Sequence, residues 1–345
     1  MKKAILLILL IVLSISCDKI ENPRTIEKVN IEKIPVDSSS IRAIYAMKDS
    51  SLFYATSDGY LGLMLPNNQN LKDKRVFYDT IVPHFRAIAS NTEHIFMLSI
   101  GNPALLYQYN EGDLEIVYKE NHPKVFYDAM AFFDAKNGIA MGDPTDDCLS
   151  VILTSDGGKT WKKISCDKLP KINEGEAAFA ASNTNIAIYG KNVWMVTGGK
   201  SARVFHSSDM GNSWNVYNTP IIQGEQMTGI YSVDFYDAKN GIIFGGNWND
   251  KDNNKNNKAV TTDGGKTWKL VAEGKEPGYK SCVQYVPDTN GKELFAVGST
   301  GISFSNDRGN TWKKVSNEGY YTIKFVNKNF AWLAGDKKIG KMILK

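Results

Sequence analysis

The sequence predicts an all-β fold, a single β-propeller of seven four-stranded blades closed by an N-terminal strand. Three observations carry this reading. A short turn pattern recurs along the chain, a second apolar element precedes every copy of it, and helical periodicity is absent after residue 16.

The turn pattern reads TSDGGKTW ending at Trp161, SSDMGNSW ending at Trp214, TTDGGKTW ending at Trp268 and SNDRGNTW ending at Trp312. The Gly-Gly-Lys-Thr core looks like the tail of a phosphate-binding loop, which needs a second Gly five positions earlier. Leu153 and Val260 stand there instead, and Asn212 and Asn310 replace the Lys in two copies. A hairpin turn accounts for every position. Asp156, Asp209, Asp263 and Asp307 accept backbone N–H groups two residues on. Gly158, Gly211, Gly265 and Gly309 supply the positive φ that a tight turn needs. The Trp begins the next strand and buries its ring against a neighbour.

The second element is an apolar run ending in Gly. It reads NGIAMG at 137–142, NVWMVTG at 192–198, NGIIFG at 240–245, ELFAVG at 293–298 and FAWLAG at 330–335. Another apolar strand precedes each, such as AMAFFDA or YTIKFVN. The unit is four strands in roughly 45 residues, a period that signals propellers or arrays. Segments 41–64 and 85–118 carry the same unit with eroded turns. The last unit, 319–344, lacks one strand. Segment 25–34 (TIEKVNIEKI) is expected to add it and so remove the open edges.

The first residues do not belong to this fold. Lys2 and Lys3 precede an apolar run over 4–15, too short to span a bilayer as a helix. The run ends at Ser14-Ile15-Ser16-Cys17, which resembles a bacterial lipoprotein signal, with Leu13 one place further upstream than that pattern prefers. The expected organisation is a signal peptide over 1–16, lipidation at Cys17, a tether over 17–25 and the propeller over 26–345. It implies an exported protein, lipid-anchored to a bacterial envelope membrane on its periplasmic or outer surface.

The bulk composition excludes little but is informative. Basic and acidic residues nearly balance, 41 against 37. The net charge of +4 gives no reason to expect a nucleic-acid partner. Cys148 and Cys166 are equidistant from Gly157, so a symmetric hairpin would set them opposite each other near disulfide reach. A slip of one residue would leave two packed thiols. No Cys-x-x-Cys is present, and His84, His94, His122 and His206 show no metal spacing, so no metal and no cofactor are expected. The polar run NWNDKDNNKNNK at 247–258 reads as a mobile surface loop.

The repeated turn resembles the Asp-box, or BNR repeat, of sialidases, sortilin-type receptors and photosystem II stability/assembly factors. GEAAFAAS at 175–182, the segment 197–214 and PGYKSCVQYVP at 277–287 extend the resemblance to exported bacterial propellers related to the assembly factor. Members of that group are often labelled oxidoreductases. No dinucleotide fingerprint, redox Cys pair, haem or copper ligand set supports that label here. The resemblance implies a non-enzymatic binding or assembly module for envelope proteins, with an envelope protein or a polar or glycan ligand as partner.

Propeller ligands meet the channel mouth where inner strands begin. The candidates there are Arg42, Arg86, Asp128, Glu176, Gln226, Lys280 and Tyr320, with Arg203, Asp143 and Asp146 in nearby loops. These mixed charges either bind a polar ligand or neutralise one another. The rival is a sialidase-like glycoside hydrolase, with Arg42, Arg86 and Arg203 on the substrate carboxylate. The Phe/Tyr-Arg-Ile-Pro segment of sialidases is matched only by Phe85-Arg86-Ala87-Ile88, without its Pro.

Overall fold

A computed structural model describes residues 23–344. Cys17, the signal segment and most of the expected tether lie outside the described residues. The fold is a β-propeller, and the one helical element among the described residues is a 3-10 turn at Cys166–Lys168. The strands form antiparallel sheets, four of them four-stranded and two six-stranded. Tyr127–Phe132, Gly138–Gly142, Ser150–Thr154 and Lys162–Lys163 are one complete four-stranded unit.

The innermost strands touch in order around a closed ring. Asn30–Ala46 meets His84–Ser90, then follow Tyr127–Phe132, Ile186–Tyr189, Thr228–Phe235, Cys282–Tyr285 and Thr322–Asn327, which returns to Asn30–Ala46. Second strands such as Gly138–Gly142 and Leu294–Gly298 are buried along their whole length. They are covered on both faces by neighbouring sheets, so they read as unbroken apolar runs rather than alternating ones. Outer strands such as Lys162–Lys163 lie at the rim and are exposed.

Ring closure uses the expected device with shifted bounds. Asn30–Ala46 is a single strand of 17 residues. Its first part pairs antiparallel with Phe330–Ile343, from Asn30 against Ile343 to Ser40 against Asp336. Its last part, Ile41–Ala46, pairs with Leu52–Thr56 as an inner strand. The closing strand therefore starts five residues later than the β-pattern suggested and is continuous with the first inner strand. Residues 24–29 instead run along a neighbouring blade. The Arg24 backbone N–H and guanidinium both donate to the Glu293 carboxylate, and Val29 N–H donates to the Val315 carbonyl at 3.3 Å. Arg24 is thus not part of a free tether.

The four repeated turns share one hydrogen-bond pattern. In the first, the Thr154 hydroxyl donates to Asp156 Oδ1 at 2.9 Å and accepts Gly158 N–H at 3.0 Å. Thr160 gives Asp156 both its N–H, at 3.0 Å, and its hydroxyl, at 2.6 Å. The Asp therefore clamps the residue four positions on, not two. Trp161 Nε1 donates back to the Gly158 carbonyl at 3.0 Å. The Trp161 ring packs edge-on against Phe96 and Phe132, so the turn also fastens one blade to the preceding one. Gly158 has φ +89°, and a Cβ there would fall 2.3 Å from the Phe96 ring, so two separate constraints require glycine.

Two further expectations meet the structure differently. Cys148 and Cys166 form a disulfide, with Cα atoms 5.5 Å apart. The hairpin pairs Ile152 with Lys163, one residue out of the symmetric register, which alone would separate the thiols. The 3-10 turn at Cys166–Lys168 bends the chain back and restores the contact. The 247–258 run is not a free loop. Lys251 O accepts Tyr279 N–H at 2.9 Å, Asn256 O accepts Ile222 N–H at 2.7 Å, and Asn257 Nδ2 donates to Pro277 O at 2.9 Å.

Candidate functional site

The central channel is stoppered. Residues 178–184 (AFAASNT) leave the two-residue strand Glu176–Ala177 and cross the channel before Ile186–Tyr189 begins. Small side chains let this backbone pass close to the ring. Asn183, at φ +58°, turns its amide onto two walls, donating to Ile88 O at 2.7 Å and accepting Met130 N–H at 2.9 Å. The Ser182 hydroxyl donates to Ser281 O at 2.6 Å, and Thr322 Oγ1 donates to Ser182 O at 3.1 Å. Thr184 O accepts Val233 N–H at 2.8 Å. Arg42 Nη1 and Arg86 Nη1 donate to the Ala181 and Ala180 carbonyls at 2.7 and 2.8 Å. The stopper is thereby tied to the inner strand, or the residue just before it, of every other member of the ring.

This accounts for most of the predicted channel-mouth residues, and they do not converge on one point. Arg42 lies with its guanidinium 3.7 Å over the Tyr321 ring. Burial lowers its pKa, opposed by Tyr321, Tyr279 and Asp336. Arg86 is pulled down to about 10 by burial and by Arg42, against the pull of Asp128, and stays charged. Its Nε donates to His84 Nε2 at 2.8 Å. Burial and the two arginines drive His84 down to about 4, which keeps that imidazole a neutral acceptor. Arg203 and Glu176 form a buried ion pair, and Arg203 Nη2 also donates to Lys171 O at 2.9 Å. Lys280 is 1% exposed and donates to Thr300 Oγ1 at 3.0 Å and Gly301 O at 2.8 Å. Burial, then Lys314, lowers it to about 7. Tyr320 is 1% exposed, beneath Lys338. Gln226 and Asp146 are exposed.

Asp128 is fully buried and neither of its carboxylate oxygens has a hydrogen-bond partner. The Asp143 N–H is instead given to Phe126 O at 2.8 Å. Burial, and then the charge of Asp143, push Asp128 well above the ordinary carboxylate range, against Arg86. Burial also raises Asp143 to about 6, although its Oδ1 accepts Ala178 N–H at 2.9 Å. Among the described residues no three His, Cys, Asp or Glu side chains gather as a metal site.

The sequence reading missed an aromatic patch at the same end of the channel. Phe179 of the stopper stacks on Tyr231 with centroids 4.0 Å apart, Tyr231 meets Tyr279 edge-on at 4.7 Å, and Trp248 meets Tyr279 at 5.3 Å. Lys251 lies 4.1 Å over Trp248. Phe179, Trp248 and Tyr321 keep partial exposure. The available signal was the single Trp in the otherwise polar 247–258 run.

The other end of the channel is a cup of about 320 Å³, floored by Asn183 and Thr184 of the stopper. It opens where the inner strands end, the side of the repeated turns, since each turn is hydrogen-bonded to the loop that follows its own inner strand, as Gly157 N–H is to Lys136 O.

Comparison with known proteins supports the architecture. The family model described as "Sortilin, neurotensin receptor 3" matches residues 149–297, less than half of the chain. No curated protein matches. Among solved structures, YCF48 bound to a D1 peptide is similar over 93% of this chain and 98% of that one, with a TM-score of 0.66 at 12% identity. YCF48 from Cyanidioschyzon merolae gives 0.62 at 13% identity, over 91% of this chain and 98% of that one. Virginiamycin B lyase from Staphylococcus aureus gives 0.62 at 10% identity, over 92% and 100%. At these identities the likeness establishes a propeller fold.

Proposed function

We propose that this chain is an exported, lipid-anchored seven-bladed propeller with Asp-box repeats that binds or assembles envelope proteins without catalysing a reaction. Its docking face is the end where the inner strands begin. The observation that carries this reading is the partly exposed patch of Phe179, Trp248 and Tyr321, flanked by Arg42 and Lys251 and laid over a stoppered channel. Aromatic and cationic side chains on rigid supports are the residue types that carry binding energy at protein interfaces. YCF48, of similar architecture, has been solved with a D1 peptide, so a propeller of this shape can hold a peptide. Cys17 carries the lipid in this reading.

The sialidase alternative loses its support. Arg42 and Arg86 are spent on stopper carbonyls, while Arg203 is spent on Glu176, so the three do not face one substrate carboxylate. An Arg86/Lys280/Arg203 triple alanine variant would remove internal ties and would not blank a surface.

The test compares the full chain with its Trp248→Ala/Lys251→Ala variant in affinity purification from gently crosslinked membranes, with Cys17→Ser as a third arm. Envelope proteins recovered with the wild type and lost with the double variant support the docking face. Equal recovery sinks it. Cys17→Ser protein that stays in the membrane fraction would sink the anchor.

A further inference from the structure

The cup on the opposite end of the channel belongs to no part of the docking face and stands independently of it. Its deep walls are aliphatic, with Ile44, Ile88, Met130, Ile186 and Val233 all buried. The polar side chains of its floor are already engaged within the protein. The Asn183 amide is committed to Ile88 and Met130, and Thr184 Oγ1 pairs with the Ser182 and Ser232 hydroxyls. A ligand seated here must put its apolar body inward and its polar groups at the rim. The volume, about 320 Å³, sits at the small end of the range of ligand cavities.

The rim carries both signs of charge. Three successive inner strands present Asp234, Gln284 and Lys324 to the cup, each partly exposed. Neither Lys324 Nζ nor the Gln284 amide has a hydrogen-bond partner within the described protein, and Lys324 and Asp234 do not close into an ion pair. Asp234 accepts Tyr285 N–H at 2.7 Å and Phe235 N–H at 3.0 Å. Those bonds hold its carboxylate in place and leave lone pairs on both oxygens.

The geometry points to a binding site for a small apolar zwitterion, a free apolar α-amino acid, with its ammonium on Asp234, its carboxylate on Lys324 and Gln284, and its side chain among Ile44, Ile88, Met130, Ile186 and Val233. A ligand with only a carboxylate would meet the Asp234 charge without compensation. One with only an amine would meet Lys324 in the same way. The zwitterion satisfies both and fills the aliphatic space that water wets poorly.

The test is calorimetric titration of the full chain with L-leucine, L-methionine and L-phenylalanine, set against N-acetyl-L-leucine and L-leucinamide, each of which lacks one charge. The expected result is saturable binding of at least one free amino acid, weakened at least tenfold for both derivatives. Lys324→Gln should weaken the free amino acid at least tenfold while binding leucinamide no more weakly than the wild type does, since the uncompensated charge facing it is gone. Asp234→Asn, which keeps an acceptor for the backbone N–H groups, should weaken the free amino acid while binding N-acetyl-leucine no more weakly than the wild type does, since the uncompensated charge facing it is gone. Thermal melts of both variants matching wild type establish that the fold is intact. No saturable binding by any of the three amino acids overturns the proposal, as does equal affinity for the derivatives or indifference to both substitutions.

Discussion

Arg203 Nε lies 3.0 Å from Glu176 Oε1 and 3.1 Å from Oε2, a bidentate pair sealed at the channel mouth. Glu176 also accepts the Thr197 hydroxyl at 2.6 Å and Asn173 N–H at 2.8 Å, so its carboxylate is fully engaged. Removing one partner strands the other charge in a dry site. Arg203→Ala is expected to destabilise the protein by about 3–5 kcal/mol, and Glu176→Met with Arg203→Met by much less. Urea unfolding of the single and double variants checks this, and equal losses would show that the pair itself stabilises.

Asn183 holds the stopper to two walls through buried backbone groups. Asn183→Ala leaves Met130 N–H and Ile88 O without partners and replaces an Asn, which tolerates φ +58°, by a residue that adopts it less readily. The expected loss is about 3–5 kcal/mol from two unmet groups and left-handed strain. Asn183→Gly relieves the strain alone and should lose about 1 kcal/mol less. Comparing the two variants by chemical denaturation separates the terms.

Asp128 should make stability pH-dependent in the direction opposite to an ordinary surface carboxylate. Its folded-state pKa lies above the unfolded value of about 4, so the folded state favours the protonated acid. The contribution is full below about pH 4 and is lost as pH rises through the folded value. Asp128→Asn removes the charge and is expected to stabilise the protein at pH 8 by about 1–3 kcal/mol, with no effect at pH 4. Melting temperatures at the two pH values test the sign, and stabilisation at pH 4 alone would refute it.

The Cys148–Cys166 bridge closes a loop of 18 residues of sequence separation. Closing a loop of that size stabilises by about 3 kcal/mol through the unfolded chain. The Cys148→Ser/Cys166→Ser variant should fall by that amount in reversible unfolding, and reduction of the wild type should reproduce the loss. Cys282, buried and not disulfide-bonded, should remain unreactive toward a thiol reagent until the protein unfolds.

The architecture was legible because it is written locally. Asp156, Gly158, Thr160 and Trp161 build a turn from residues close together in the chain, and four such turns with their apolar partners set the period. The channel-mouth residues were legible only as a set. Sequence position placed Arg42, Arg86, Glu176 and Lys280 at strand starts, but not their partners. Those partners are backbone carbonyls of a segment more than 90 residues away for Arg86, and, for Glu176, Arg203, which the sequence places in a loop but which opens the strand Arg203–Ser207. No side-chain pattern announces that AFAASNT crosses a channel, because what makes it suitable is the smallness of its residues. Trp248 and Lys251 sat in a run whose polarity masked a docked conformation.

The pairing of Asn30 with Ile343 has a consequence for how the molecule is made. On the ribosome, the first strand emerges about 300 residues ahead of the one that completes its sheet. Until that last strand arrives the edge stands unpaired, wherever the blades are laid down. An exposed strand edge is a template for pairing with another chain. The nascent protein must therefore keep its own beginning from joining a neighbour until its end arrives, and truncation of only the last dozen residues would leave a spiral with two sticky margins.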